Sequence, residues 1–190
     1  MPEQTSQEIL EKMRQDWDER ARENARGQRE EPSAMRDATV DRANVIASPT
    51  VIFAGILVLG FGLDMIWPAS FLPEGWGFPL GLIVIFAAVN IKLFAVREMV
   101  RVKTNLNIRK PATDLATSGP FSVSRNPLYI GMILLNIGIG CIVNSWWILL
   151  LSAGLAATLQ KGVIEPEEAY LERKFGDKYL RYKAKVRRWI

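Results

Sequence analysis

The chain contains no histidine. Imidazole is therefore excluded both as a general base and as a metal ligand. Cysteine is almost as scarce, and the one thiol, Cys141, sits inside an apolar run. It has no partner for an internal disulfide and reads as a small packing residue. A nucleic-acid-binding module needs a basic patch on a soluble surface. The formal net charge here is +4, but Lys and Arg border apolar segments instead, which argues against nucleic acid as a partner. A secretory signal is not expected, since the first apolar run starts near Val51 behind a long charged stretch.

What is present falls into two unlike parts, although 190 residues suggest one domain by length. Residues 1–47 carry 8 Lys/Arg against 11 Asp/Glu, and the remainder carries 16 against 9. Within residues 5–30, Ile9, Met13, Trp17 and Ala21 recur at four-residue spacing with charges between them, which predicts a helix with a narrow apolar stripe. Being net acidic, it would gain little from anionic lipid, and it reads as a solvated or partner-packing helix. Pro32 and Ser33 end it and a polar linker follows. The expected division is a charged cytosolic helix and linker over 1–47 and a membrane domain over 48–190.

Four apolar segments lie near 50–67, 78–96, 128–143 and 146–163. A spanning helix needs about 20 residues, with about 17 as the lower limit. The first two qualify, and Asn144-Ser145 reads as a tight turn joining the last two as an antiparallel pair. Almost no polar face interrupts these runs, which disfavours a soluble bundle. The charges test this independently. Lys and Arg number 8 before the first span, 6 in the 97–127 connection and 9 in the tail from Lys161, against none in 68–77 or 144–145. Such alternation places both termini in the cytoplasm, and Trp67, Trp76, Trp146 and Trp147 gather at the opposite ends of the spans as an aromatic belt would. The expectation is an all-α integral membrane protein of about four transmembrane helices, multi-pass in a bacterial inner membrane. Further cytosolic helices are expected at the N-terminus and over 165–189.

A few polar residues fall inside the spans. Asp64 is near an outer end, and Lys92 is near an inner end, where it can snorkel. Asn136, deep in the third span, suits an interhelical hydrogen bond, and Gly77-x-x-x-Gly81 permits close helix approach.

Two polar segments frame the last hairpin. The first runs from Gly119-Pro120-Phe121 through Ser124-Arg125-Asn126-Pro127-Leu128-Tyr129-Ile130-Gly131. Asn126 is a good N-cap residue and Pro127 fits a first helical turn, so the segment can be read simply as a helix start. The second is Glu165-Pro166-Glu167-Glu168-Ala169-Tyr170-Leu171, leading into Phe175-Gly176-Asp177-Lys178-Tyr179. It too reads as a helix start, with acids at the positive end of the dipole, a stop at Gly176 and a new helix from Asp177. Leu171, Phe175, Tyr179, Tyr182, Val186 and Trp189 form a stripe that should pack on something apolar. If the hairpin crosses the membrane twice, the two segments meet at one face, and scaffold and site remain alternative readings of each.

Together with the upstream Thr104-Asn105 and Leu115-Ala116-Thr117-Ser118, these motifs resemble the isoprenylcysteine carboxyl methyltransferase and phospholipid methyltransferase superfamily of membrane enzymes. The resemblance covers roughly residues 50–190. It implies methyl transfer dependent on S-adenosyl-L-methionine, with the cofactor at the cytosolic face and a lipophilic or small amphiphilic acceptor entering from the bilayer. By position it implies cofactor contacts at Thr113, Asp114, Leu115, Ala116, Phe121, Asn126, Pro127, Leu128, Tyr129 and Glu167. Arg125 and Glu168 are the implied catalytic residues, and no metal is involved. Glu167 would bind the cofactor ammonium, Arg125 or helix N-terminal N–H groups its carboxylate, and Phe121 and Tyr129 would line the adenine or methyl pocket. Asn126 stands where the family commonly has His, and Val163 where prenylcysteine enzymes place an Arg for the substrate carboxylate. A lipid amine, a thiol or another small amphiphile therefore stands beside a carboxylate as acceptor. The competing readings are an NADPH-dependent membrane reductase of related architecture, and a non-enzymatic membrane scaffold or resistance accessory.

Overall fold

The computed structural model describes residues 11–12, 14–23, 45–104 and 112–190. Residues 11–12 and 14–23 are helical and exposed, Trp17 included. Ile9 and Met13, which would complete the expected stripe, lie outside the described residues, as do residues 24–44, which hold the end of that helix and most of the polar linker, and Asn105. Arg42–Ile190 is a separate compact unit and holds everything that follows.

Its helices are α1 (Pro49–Ile66), α2 (Gly77–Arg101), α3 (Pro127–Val143), α4 (Trp146–Leu159), α5 (Glu165–Phe175) and α6 (Asp177–Lys185). A 3-10 turn spans Gly119–Ser122, and a π turn spans Gln160–Ile164. There is no strand among the described residues. Among the described residues, three continuous helices are long and apolar enough to cross a membrane: Pro49–Ile66, Gly77–Arg101 and Trp146–Phe175. α3, with 17 residues, extends about 26 Å at 1.5 Å per residue, close to the ~30 Å apolar layer. The large apolar side chains of α1 and α2 point outward, Met65 being 86% and Phe86 72% exposed. Helices that are apolar all round and yet uncovered by protein need lipid as their solvent. The chain is an all-α, multi-pass integral membrane protein.

α1 packs on α4, α4 on α3, and α3 most extensively on α2. The α2–α3 contact is close because glycine faces glycine across it. A Cβ on Gly81 would lie 2.6 Å from the Gly138 carbonyl oxygen and 2.4 Å from Ile142 Cγ1. The Gly77-x-x-x-Gly81 spacing is thus a packing device. Gly81→Leu should separate the two helices and lower the midpoint of thermal unfolding in detergent, at a cost of about 3 kcal/mol or more. An unchanged melting curve would contradict the close contact.

Asn136 makes the interhelical bonds expected of it, donating from Nδ2 to Ser152 Oγ (2.8 Å) and the Ile148 carbonyl (3.1 Å) of α4. At the hairpin turn, Asn144 adopts a left-handed conformation (φ 57), which a short polar side chain tolerates. Its Oδ1 accepts the Phe71 and Leu72 N–H groups, and its Nδ2 donates to the Leu72 carbonyl. Trp147 donates its indole N–H to the Trp67 carbonyl. These bonds fix the α1–α2 loop onto the turn, leaving the other end of the bundle to be shaped by the polar segments.

One boundary differs from expectation. Pro166 does not start a new helix, because α4 runs through the π turn into α5 as one rod. In the π turn the Glu165 N–H reaches back to the Gln160 carbonyl. Proline supplies no N–H to the carbonyl four residues earlier, that of Gly162. That carbonyl accepts the Ile46 N–H instead (3.1 Å), so the rod continues with the group satisfied. The stop at Gly176 (φ 49) and the restart at Asp177 occur as the sequence indicates.

Candidate active site

Three apolar clusters surround the end of the bundle where α2 finishes and α3 starts. Tyr129 packs with Leu155, Leu159, Val163 and Ile164; Ala95 with Ala116 and Phe121; Leu115 with Tyr179 and Tyr182. Between them lies a cavity of about 470 Å³. The 112–116 segment forms one wall. It is held by the Ala112 N–H on the Tyr170 hydroxyl (3.1 Å) and by the Asp114–Lys178 ion pair (2.6 Å). The Lys178 ammonium holds the Asp114 carboxyl below its usual range. Phe121, from the 3-10 turn, is fixed because its carbonyl accepts the Tyr182 hydroxyl (2.7 Å), and burial raises that phenol above its ordinary value.

α3 and the residues before it supply Arg125, Asn126, Pro127, Leu128 and Tyr129 to the wall, and α5 supplies Glu167 and Glu168. The two polar segments therefore meet. Tyr129 donates its hydroxyl to Glu167 Oε2 at 2.7 Å. Arg125 Nη2 lies 3.1 Å from Glu168 Oε1, both side chains under a tenth exposed. Its Nε and Nη1 are also buried and make no hydrogen bond among the described residues. A buried guanidinium with two unused donors is costly unless an acceptor reaches them.

Of the residues singled out in the sequence, Asp114, Leu115, Ala116, Phe121, Arg125 and Asn126 line the cavity, as do Pro127, Leu128, Tyr129, Glu167 and Glu168. Thr113 does not; its hydroxyl donates to the Lys103 carbonyl at 2.5 Å. Asn126 makes no side-chain cap on α3. Its Nδ2 donates instead to the Arg188 carbonyl (3.0 Å), which joins segments 62 residues apart.

Residues 187–189 are what sequence reasoning missed. The Arg187 carbonyl accepts the Arg125 N–H (3.0 Å), and the Arg188 carbonyl accepts Ser124 Oγ. The Arg188 guanidinium holds Glu168 through Nε (3.1 Å) and Nη2 (2.9 Å) and reaches Glu165 through Nη1 (3.2 Å). Trp189 donates to Gln160 Oε1. Only the apolar stripe ending at Trp189 hinted that this tail returns to the bundle. Lys92 was also missed as a wall residue, having been read as a snorkelling lysine.

The sequence model of the phospholipid methyltransferase family matches residues 76–178, more than half of the chain and every cavity wall except those from α1 and α6 residues beyond 178. The chain belongs to the phospholipid methyltransferase family. An uncharacterized protein of Haemophilus influenzae is 70% identical to this chain over 27 residues, 14% of this chain and 43% of the relative. The match thus spans less than half of that relative's length. No solved structure matches this chain.

Proposed function

We infer that the chain is a membrane methyltransferase that uses S-adenosyl-L-methionine, bound in this cavity, to methylate a lipophilic or small amphiphilic acceptor. The observation that carries this reading is the pairing of opposite needs on one wall. Arg125 offers two buried donors without an acceptor among the described residues, and the Glu167 carboxylate has the Tyr129 hydroxyl as its hydrogen-bond donor. A ligand with both a carboxylate and an ammonium satisfies both. The lining fits the remainder, since Phe121, Leu115, Leu128 and Tyr129 present apolar surface to a nucleoside. Thr113 then acts indirectly, by holding the 112–116 wall against the end of α2.

When bound, this cofactor supplies an electrophilic methyl group on a sulfonium. The chain's own residues bind and orient. Arg125 and Glu167 fix the ends of the amino-acid moiety, and Tyr129 aligns Glu167. Arg188 and Arg125 together hold Glu168, so that Arg125 keeps its orientation. The apolar walls exclude water. Methyl transfer is an in-line displacement, so alignment and water exclusion supply much of the rate, and no imidazole is needed. The charge alternation along the chain supports a cytoplasmic position for this end of the bundle, in a bacterial inner membrane.

The test is a thermal-shift or calorimetric titration of the detergent-purified chain. S-adenosylhomocysteine at a hundredfold excess over its Kd should raise the unfolding midpoint by roughly 5–10 °C. A response to NADPH in place of S-adenosylhomocysteine would overturn this reading in favour of a reductase. A response to neither would favour a scaffold.

A further inference from the structure

A second groove lies beside the exposed face of α2. Phe94, Arg97, Glu98 and Arg101 line it together with Gly119 and Pro120 of the 3-10 turn, and none of these six lines the cavity described above. Helix α2 has 25 residues, about 37 Å at 1.5 Å per residue, which exceeds the ~30 Å apolar layer. With its apolar part in lipid, its last turns emerge among the headgroups. Phe86, Leu93 and Phe94 are exposed on it, and beyond Phe94 the same face becomes basic with Arg97 and Arg101. The two arginines differ. Arg101 is held by buried Glu98 through Nε (2.8 Å) and Nη2 (2.7 Å), and Nη2 also donates to Ser118 Oγ (2.7 Å). Ser118 in turn donates to Glu98, so that carboxylate is committed to Arg101 and Ser118. Arg97 makes no hydrogen bond or ion pair among the described residues, and neither does Nη1 of Arg101.

Two guanidinium groups one helical turn apart, one fixed and one without a countercharge, form a seat for a phosphate. Their place at the end of a lipid-facing apolar stripe decides where that phosphate comes from. We propose that the groove holds the headgroup of an anionic glycerophospholipid of the surrounding bilayer, with its phosphate between Arg97 and Arg101 and its acyl chains along Leu93 and Phe94. Basic residues at the juxtamembrane end of a helix attract anionic headgroups in this way. The lipid is a bound companion of the fold and not the methyl acceptor, because the 3-10 turn stands between groove and cavity. Gly119 and Pro120 line the one and Phe121 the other. A zwitterionic lipid fits less well. Its ammonium would meet two cations, and among the described residues the carboxylate of the groove, Glu98, is already paired. Through Arg101 and Ser118 the bound lipid is joined to the turn that carries Phe121, so its binding stabilises the fold. The assignment does not depend on which cofactor the cavity takes.

The experiment titrates the full chain in a neutral detergent with dioleoylphosphatidylglycerol or dioleoylphosphatidylcholine. Binding is read by native mass spectrometry and by thermal unfolding. The expected result is retention of phosphatidylglycerol with a higher unfolding midpoint, and neither effect from phosphatidylcholine. Arg97→Gln should weaken phosphatidylglycerol binding about fivefold and leave the lipid-free midpoint unchanged, since Arg97 has no partner to lose. Arg97→Lys should keep most of the affinity. Arg181, exposed on α6 and outside the groove, is the control, and Arg181→Gln should change nothing. Equal binding of the two lipids, or a loss in Arg97→Gln no larger than in Arg181→Gln, overturns the proposal. So does binding of sn-glycerol 3-phosphate as tight as that of phosphatidylglycerol, which would give the groove to a soluble phosphate.

Discussion

Arg125→Met should abolish measurable S-adenosylhomocysteine binding, a loss of about 100-fold or more, since hydrogen bonds to a charged group contribute roughly 1.5–3 kcal/mol each. Two effects are mixed in that variant. The substitution removes the Nε and Nη1 donors inferred to receive the cofactor carboxylate, and it also removes one partner of the buried Glu168. Breaking a buried ion pair costs about 3–5 kcal/mol when one charge is left alone. Here Arg188 still grips both Glu168 oxygens, so the stability loss should fall below that range, near ~2 kcal/mol. The double variant Arg125→Met, Glu168→Gln separates the two. It should recover most of the thermal midpoint while remaining unable to bind. Recovery of binding in the double variant would show that Arg125 serves the fold alone. Arg125→Lys should recover stability only in part and affinity hardly at all, because a point charge does not replace a planar fork.

The second large effect is expected at Glu167. Gln is nearly isosteric and can still accept the Tyr129 hydroxyl through its amide oxygen. Fold and thermal midpoint should therefore stay within about 1 kcal/mol of wild type. Cofactor affinity should fall by about 10- to 100-fold, because the ammonium loses its countercharge. Tyr129→Phe leaves the charge and removes only the aligning hydroxyl, so its effect should be the smaller of the two. Affinity for S-adenosylhomocysteine, measured by calorimetry in all three proteins, gives the order wild type, Tyr129→Phe, Glu167→Gln. Equal affinity in wild type and Glu167→Gln would reject the electrostatic role.

The spans were legible because lipid selects apolar surface on all sides of a helix, a signal that lies wholly within each segment. Gly81 and Asn136 were legible for a related reason: few things other than packing or a hydrogen bond explain such residues inside a span. The 112–116 wall, the 3-10 turn and the α3 start were located through motif resemblance, and the structure gathers all but Thr113 around one cavity. Other features were hidden because they depend on contacts between distant residues. Asn126 has the sequence appearance of a cap, but the Arg188 carbonyl 62 residues away takes its amide. Pro166 has the appearance of a helix start, but Ile46 relieves the break by accepting the role of donor to Gly162. Lys92 gives a snorkelling pattern whether or not a cavity lies beside it, and only the bare surface at Gly131 shows where its stem lies.

The tie between residues 187–189 and the helix starts bears on the order of events during synthesis. Every apolar helix is complete by Phe175, and helices already in lipid can associate through Gly81, Gly138 and Asn136. Arg125 and Glu168 receive their last partners only after the ribosome has passed Trp189. Membrane insertion thus comes first and the polar chamber is assembled later, so a nascent chain already embedded in the bilayer holds this end of the bundle open until residues 187–189 have been made.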